Sequence, residues 1–338
     1  MSRGALLITV DVALKCVPVI FLVAILVGFG TLSPRFLTVD NLAAILTQSS
    51  WLVIVALGVN LVLLTAGVDL SVGAAMYLAA VVTGLAFAMS PVWISLSVAI
   101  LIGAAFGAMN GLLIVKLQLP AFIVTLATIF IGRGLALHLS STKVIVAGRA
   151  LADFGRAELA GVPVPLVLAC AAFLLAGVLY RATPFGPYVR SVGADREGAR
   201  RAGVPAQAIT WSVYCLSGAF AGFGGFVALS QSSAASGSFG QNAEFLAIAA
   251  AVLGGTSLFG GRGTLWAPVA GGILITTVQN GLVTINANPY VYPVITGGVI
   301  LLAALLDSLR LSTLARLQRR MFTAEVPATA LVAGRSEA

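Results

Sequence analysis

The stretch LSVGAAMYLAAVVTGLAFAMSPVWISLSVAILIGAAFGAMNGLLIV, residues 70–115, decides the fold of this chain. It runs for 46 residues without an Asp, Glu, Lys or Arg, and Pro91 lies near its middle. A helix that crosses a membrane needs about 20 consecutive, predominantly apolar residues. The stretch therefore predicts two transmembrane helices that are separated near the proline.

The rest of the chain has the same character. Hydrophobic residues make up 59% of the 338 residues and charged residues only 9%, whereas a soluble domain carries about 25% charged residues. Runs such as 17–27 are apolar at every position, which favours helices over the alternating strands of a membrane barrel. We predict an all-α polytopic membrane protein with about ten transmembrane helices. The predicted spans are 16–33, 49–65, 71–89, 92–115, 120–140, 164–180, 208–230, 243–258, 265–284 and 291–308.

The basic residues predict the orientation of these spans. Of the 19 Lys and Arg residues, 14 fall in the termini and one set of loops, four fall on the opposite side, and Arg133 lies within a span. Cytoplasmic loops carry the excess of basic residues, so both termini are expected in the cytoplasm. Anionic lipid accounts for the net charge of +8 without any nucleic-acid partner. We expect a transmembrane permease domain over 1–310 and a partly disordered cytoplasmic tail over 311–338.

One cytoplasmic loop, residues 181–207, reads RATPFGPYVRSVGADREGARRAGVPAQ. Its residues 194–202 predict a short helix with acidic residues at its start and basic residues at its end, an order that complements the helix dipole. Gly203 is expected to cap the C-terminal end. Such a helix is either a docking element for a partner or a solvated loop that orients two spans, and its spacing leaves both open. The candidate coupling segment comprises Gly193, Ala194, Asp195, Arg196, Glu197, Ala199, Arg200, Arg201 and Gly203.

Four motifs follow one another along the chain. They are LLTAGVDLSVG (63–73), GAMNGLLIVKLQLPAFIVTLATIFIGRGL (107–135), GPYVRSVGADREGARRAGVPAQAITWSVYCLSGAFAGFGG (186–225) and AAAVLGGTSLFGGRG (249–263). In this order they resemble the permease subunits of bacterial ABC importers of the ribose, xylose and arabinose type, over roughly residues 35–310. The chain departs from that pattern at Leu246, where many relatives carry an acidic or polar residue.

The resemblance implies a set of partners. In that family the segment matching 193–203 is the coupling helix, which docks on a cytoplasmic ATPase. A periplasmic or extracellular solute-binding protein delivers the solute, and a second permease copy, identical or homologous, completes the path through the bacterial cytoplasmic (inner) membrane. The sequence lacks a GxxxxGK[ST] phosphate loop, so we expect a permease without enzymatic activity, without a cofactor, and dependent on a separate ATPase. The solute is expected to be small and polar, and a monosaccharide fits best.

Polar residues inside the spans are the candidates for a solute path. A charge in mid-membrane costs roughly 2.5–3.5 kcal/mol, so such groups line cavities or find partners. Asp69 lies between Gly67 and Gly73 and predicts a broken segment, which would serve either as a gate or as a cap for a helix starting near Ser71. The other polar residues could line the path or hold helices together by hydrogen bonds. The candidate path residues are Asn60, Asp69, Ser71, Asn110, Thr125, Thr128 and Asn280, and the neighbouring Gln279 could also line the path.

Arg133 is the one cation well inside a predicted span. It predicts an ion pair within the membrane, and Glu244 and Asp69 are its candidate partners. Asn-Gly-Leu recurs at residues 110–112 and 280–282, a weak sign of an internal repeat.

Two other functions compete with the importer. An ion-driven secondary transporter would use Asp69 or Glu244 as an ion ligand, but it leaves the charged loop at 181–207 unexplained. A membrane enzyme acting on lipids would need acid–base groups near the membrane surface, and these are scarce. His138 is the sole histidine, so no metal site is expected.

Overall fold

The computed structural model describes residues 17–298 together with Leu301 and Leu305. Helices dominate this part of the chain. They are α1 (Val17–Leu32), α2 (Val39–Leu64), α3 (Val72–Ala86), α4 (Val92–Lys116), α5 (Ala121–Ser140), α6 (Arg149–Arg156), α7 (Val164–Arg181), α8 (Phe185–Ala194), α9 (Arg196–Arg201), α10 (Ala206–Ser232), α11 (Ala243–Leu253) and α12 (Trp266–Thr284), followed by a 3₁₀ turn at Pro289–Val291 and a helix over 292–298.

Five of these helices, α2, α4, α5, α7 and α10, are long and apolar enough to cross a membrane. They confirm the predicted all-α membrane class. The count of ten spans is not confirmed, because α3 has 15 residues and α11 has 11, fewer than the roughly 20 that a crossing needs. The end of the predicted span 291–308 and the tail after residue 310 lie outside the described residues.

The first long helix, α2, starts ten residues before the predicted span 49–65. The Thr38 hydroxyl accepts a hydrogen bond from the backbone N–H of Asn41 at 3.4 Å and caps this helix, and Asp40 lies in its first turn. An acidic residue is favourable there because the helix dipole is positive at its N-terminus. The prediction was wrong at this end because the apolar spans were placed away from charged residues such as Asp40.

The two short helices α3 and α11 begin inside the bundle. Ala74, in the first turn of α3, lies beside Gly132 near the middle of α5, where a Cβ on the glycine would be 3.0 Å from the Ala74 Cβ. The segment that precedes α11 reaches the first turn of α3, since a Cβ on Gly240 would lie 2.7 Å from the carbonyl oxygen of Gly73. Residues 65–71 and 236–242 are therefore two non-helical segments, and the second contacts the first turn of α3, which directly follows the first.

The centre of the bundle is α10, which packs against α2, α3 and α4. Its contact with α4 is built on glycines: a Cβ on Gly103 would overlap the carbonyl oxygen of Gly218, and one on Gly107 would overlap that of Tyr214. Small residues let helix backbones approach closely. Gly218 and Gly222 of the glycine-rich run 218–225 therefore lie directly against the backbone of α4.

The long connection between α5 and α7 is folded. Two-residue strands β1 (Ile145–Val146) and β4 (Ala234–Ala235) pair antiparallel, as do β2 (Glu158–Leu159) and β3 (Val162–Pro163). Between them α6 packs on the end of α10, where a Cβ on Gly155 would overlap the carbonyl oxygen of Ser230. This layer covers the end of the bundle opposite to α8 and α9.

Candidate coupling and translocation site

The candidate coupling segment is a helix bend rather than one continuous helix. α8 ends at Ala194, Asp195 is extended (φ −156°, ψ 102°), and α9 begins at Arg196. The Asp195 carboxylate accepts hydrogen bonds from the backbone N–H groups of Glu197 at 3.1 Å and Gly198 at 3.0 Å. The predicted helix over 194–202 is corrected to 196–201, because Asp195 acts as the N-cap and so lies outside the helix.

The charged face of α9 points away from the bundle. Ala199 is buried beneath it, whereas Arg200 donates to the Glu197 carboxylate at 2.7 and 2.9 Å and Arg201 donates at 3.2 Å. All three charged side chains remain more than half exposed. Hydrogen bonds from Arg200 and Arg201 lower the pKa of Glu197. Gly203, at φ +83°, ends the segment in the left-handed conformation expected of a C-terminal glycine.

Gly193, at the end of α8, lies directly against the end of α2. A Cβ there would overlap the carbonyl oxygen of Leu64 and would lie 2.7 Å from the backbone nitrogen of Gly261. Gly261 donates its N–H to the same Leu64 carbonyl at 3.0 Å. Gly260, at φ +82°, covers Ala66, which itself has φ +59°. We call these five residues the glycine joint, since here α8, the end of α2 and the connection after α11 meet.

Asp69 lies just beyond the glycine joint and is fully buried. One oxygen of its carboxylate accepts from the backbone N–H of Ser71 at 3.0 Å and from the Ser71 hydroxyl at 2.7 Å. The other oxygen accepts from the Ser217 hydroxyl of α10 at 2.7 Å. The Asn110 amide of α4 donates to the Ser71 hydroxyl at 2.7 Å. Asp69 thus ties the segment 65–71 to α10 and Ser71 ties it to α4, while the contact between Asp69 and Ser71 holds the turn that starts α3.

The carbonyl oxygen of Val68 holds the same segment on its other side. It accepts from the hydroxyls of Tyr214 at 3.2 Å and Thr125 at 3.4 Å. Thr128 donates within α5, to the carbonyl of Thr125 at 3.2 Å. A Cβ on Gly67 would lie 2.7 Å from the Tyr214 hydroxyl. Tyr214 and Ser217 were not among the predicted site residues, because hydroxyls on an apolar helix carry no sign of what they face.

The remaining candidate path residues belong to two further polar contacts. Asn60 accepts from the buried Thr256 hydroxyl at 2.6 Å and donates to the Thr264 carbonyl at 3.3 Å, which ties α2 to the connection before α12. Asn280 accepts from the Asn41 amide at 3.0 Å and joins α12 to the start of α2. The two Asn-Gly-Leu motifs therefore make different contacts in the fold.

Arg133 faces the other non-helical segment. Its guanidinium donates to the carbonyl oxygens of Gly240 at 2.8 Å and Phe239 at 3.5 Å. Glu244 is buried, and its carboxylate lies against Gly73 in the first turn of α3. Within the described residues, ion pairs of 4.0 Å or less involve Glu197 with Arg200 and Arg201, so Arg133 and Glu244 are neighbours of one segment rather than a direct pair.

Two cavities flank the non-helical segments. One of about 930 Å³ lies between the coupling segment, residues 65–67 and the α4–α5 connection, and Arg196 and Arg200 help to line it. The other, of about 430 Å³, lies where Trp51, Gln231, Gln241 and Gln279 come together. None of the seven candidate path residues lines either of these two cavities. All seven are buried in hydrogen-bonded contacts, and a direct contact with solute stays a prediction for them.

Residues 41–304 match the family described as "Branched-chain amino acid transport system / permease component". The chain belongs to this family of permease components. The permease spans the membrane, while ATP hydrolysis takes place in a separate subunit of such importers.

Curated relatives are similar along most of their length. The D-allose transport system permease protein AlsC of Escherichia coli is 35% identical over 86% of the permease and 90% of its own length. The ribose import permease protein RbsC of Bacillus subtilis is 35% identical, with 85% and 90% covered. The galactose/methyl galactoside import permease protein MglC of Salmonella typhimurium is 34% identical, with 82% and 89% covered. No solved structure matches the chain.

Proposed function

We propose that this permease imports a monosaccharide across the bacterial inner membrane, driven by an ATPase that binds the coupling segment. The names of the relatives support the solute class, because they refer to D-allose, ribose and galactose. A solute-binding protein would deliver the sugar to the side opposite the ATPase. The bias of basic residues supports cytoplasmic termini and a cytoplasmic coupling segment.

The coupling proposal rests on one observation: the exposed, capped helix α9 directly follows α8, and the end of α8 lies in the glycine joint. Asp195 fixes the bend between α8 and α9 through two backbone hydrogen bonds. Gly193, two residues earlier, touches the end of α2 without an intervening side chain. A push on α9 would therefore be transmitted to the segment that holds Asp69, because close-packed contacts leave little room for slippage.

The transport cycle that follows is alternating access. The ATPase would bind ATP in one arrangement and release its products in another, and its differential affinity would bias the position of α9. Segment 65–71, held by Asp69 and Val68, would act as the gate on the coupling side. A second permease copy would complete the path, as the resemblance of the sequence to two-permease importers suggests.

The test is co-purification of the tagged permease with ATPase subunits, for the wild type, Glu197→Arg and the control Glu158→Arg. Glu197 belongs to α9, whereas Glu158 is an exposed glutamate of β2 at the other end of the bundle. We expect a specific ATPase to be retained by the wild type and the control, and to be lost from Glu197→Arg because like charges would then face each other on α9.

A second arm separates the importer from an ion-driven transporter. The wild type is reconstituted in liposomes with its ATPase and solute-binding protein, and uptake of labelled sugars is measured with ATP or with an ion gradient. Uptake that needs ATP and both partners supports the proposal. Uptake by the permease alone, driven by an ion gradient, would refute the proposal. Asp69 and Glu244 would then be the candidate ion ligands.

A further inference from the structure

The smaller cavity lies at the end of the bundle away from the coupling segment. Helix α10 starts beside α9 and runs for 27 residues, or about 40 Å, before its last residues reach this cavity. The volume of about 430 Å³ falls within the range of roughly 300–1,000 Å³ that small-molecule sites occupy. We call it the glutamine cavity. Its lining comprises Trp51, Met76, Ala228, Gln231, Ser232, Ser238, Phe239, Gly240, Gln241, Leu246 and Gln279.

The lining is polar but uncharged. Every side chain that the described residues contribute to the glutamine cavity is neutral. Gln231 is held in place, since its amide nitrogen donates to the Thr47 carbonyl at 2.6 Å. Within the described part of the chain, the side-chain amides of Gln241 and Gln279 have no hydrogen-bond partner in the protein. Each amide can donate two hydrogen bonds and accept two, so both are available to a ligand.

The cavity also contains a large aromatic side chain. Trp51 of α2 is half-buried and lines the cavity together with Gln279 of α12. An indole offers a broad apolar face together with one N–H donor. A sugar ring matches this combination, because its C–H face is apolar and its hydroxyl groups both donate and accept hydrogen bonds.

The non-helical segment 236–242 forms one wall of the cavity, and Arg133 holds it from behind. The guanidinium donates to the carbonyl oxygen of Gly240 at 2.8 Å, and Gly240 has φ +65°. Arg133 itself does not belong to the lining. Its charge is therefore used to position the wall, and the cavity remains neutral.

From these contacts we propose that the glutamine cavity is a solute subsite for a neutral monosaccharide, in which the amides of Gln241 and Gln279 bind hydroxyl groups and Trp51 contacts the ring. The proposal rests on the proposed function and adds the site and the charge of the solute. An amino acid would bring a carboxylate and an ammonium group, and the lining offers neither of them a charged partner. The neutral lining therefore selects a sugar over an amino acid.

The experiment is ATP-dependent uptake by the complete transporter in liposomes, with labelled D-allose, D-ribose and D-fructose, and with labelled L-leucine as the charged alternative. The variants are Gln241→Leu and Gln279→Leu. Gln48→Leu is the matched control, because Gln48 is an exposed glutamine of α2 outside the cavity lining. Each cavity variant should lower kcat/KM for the transported sugar about tenfold, the size of one lost hydrogen bond of good geometry. Co-purification of the ATPase subunit confirms that each variant transporter has assembled.

Trp51 is tested by Trp51→Phe and Trp51→Leu. The phenylalanine variant keeps an aromatic face and should retain most of the uptake, while the leucine variant should lose about tenfold. Co-purification of the ATPase subunit again reports that the transporter has assembled.

The outcomes separate the cavity from the importer. If the wild type takes up a sugar and both glutamine variants match it, the subsite proposal is wrong and the importer stands. If the wild type takes up leucine and none of the sugars, the neutral subsite and the sugar specificity are both overturned, while ATP-driven transport remains. If the permease alone takes up solute driven by an ion gradient, the importer itself fails, and the cavity proposal with it.

Discussion

Segments 65–71 and 236–242 both interrupt the helical bundle, yet they are built differently. In the first, Asp69 is fully buried, and its carboxylate accepts three hydrogen bonds. In the second, Ser238 and Gln241 are exposed, and the Gln241 amide lines a cavity. One segment is tied into its surroundings on every side, whereas the other is held from one side by Arg133 and is open on the other.

The difference fits the two tasks proposed for these segments, transmission of movement and contact with solute. A segment that transmits movement needs saturated hydrogen bonds and close packing, since slack would absorb the displacement. A segment that contacts solute needs polar groups that are free in the absence of solute. Changes at the first segment should therefore impair stability and coupling, while changes at the second should impair solute handling alone.

The largest effect is expected at the glycine joint. Gly193→Val would place side-chain atoms where the carbonyl oxygen of Leu64 lies, so α8 must move away from α2. We expect ATP-driven uptake to fall more than tenfold while the ATPase still co-purifies and hydrolyses ATP. The matched control is Gly134→Val on α5, where a Cβ has no neighbour within 4 Å. Equal uptake by both variants would show that the joint does not transmit movement.

The next effect concerns the stability of segment 65–71. Asp69→Asn removes the charge and one acceptor oxygen, so one of the three donors at Ser71 and Ser217 loses its partner. Hydrogen bonds to a charged group contribute about 1.5–3 kcal/mol, and we expect a loss of about 2 kcal/mol. Thermal unfolding in detergent measures it. The control Asp153→Asn, at an exposed aspartate of α6, should leave Tm unchanged.

The same measurement sharpens the contrast between the two segments. Gln279→Leu should unfold at the wild-type temperature, because its amide has no protein partner to lose within the described residues. A drop in Tm equal to that of Asp69→Asn would mean that the glutamine cavity is structural, and the distinction between the segments would be lost.

A smaller effect is expected at the contact between α2 and the connection after α11. Thr256→Val keeps the shape of the side chain and removes the hydroxyl that donates to Asn60 at 2.6 Å. A buried acceptor that loses its partner costs about 1–2 kcal/mol. The control Thr277→Val removes a hydroxyl that donates to the Ile273 carbonyl of its own helix, which keeps its backbone partner. Equal unfolding midpoints for the two variants would contradict a structural role for the Asn60 contact.

The smallest effect is the pH dependence of α9. Because Arg200 and Arg201 lower the pKa of Glu197, its stabilising contribution is present above the ordinary glutamate pKa of about 4.3 and is lost as pH falls through the lowered value. The side chain is exposed, so the contribution is small. Unfolding midpoints of the wild type and Glu197→Gln should differ slightly at pH 7 and converge once the pH has fallen below the lowered pKa of Glu197. A difference that grows as the pH falls would contradict the assigned direction.

The coupling segment was largely predictable from sequence because its determinants are local. Asp195 caps α9 through backbone N–H groups two and three residues further along the chain, and Gly203 ends the segment. Both ends of the helix are therefore indicated by residues close to it in sequence. The prediction erred by placing Asp195 and Ala194 inside α9, since a run of charged and small residues does not reveal which aspartate is the cap.

The sequence identified Asp69 as an unusual residue, but it did not predict the hydrogen-bond partners of this side chain. An acid between two glycines in an apolar region predicts a break in helix structure, and the break is present over 65–71. Ser217 lies 148 positions away, and no local pattern connects it with Asp69. Arg133 was expected to find a carboxylate and instead donates to two backbone carbonyls, acceptors that every sequence position offers.

The sequence by itself determined the membrane class, the long spans and the charged helix, because these depend on hydropathy and on residues within one or two turns of each other. Only the tertiary structure decided where α3 and α11 begin, which groups meet at the glycine joint, and that Gln231, Gln241 and Gln279 surround one cavity. The physical reason is distance along the chain. A hydropathy pattern is a one-dimensional property, whereas a cavity or a buried hydrogen bond exists only after helices far apart in sequence have packed together.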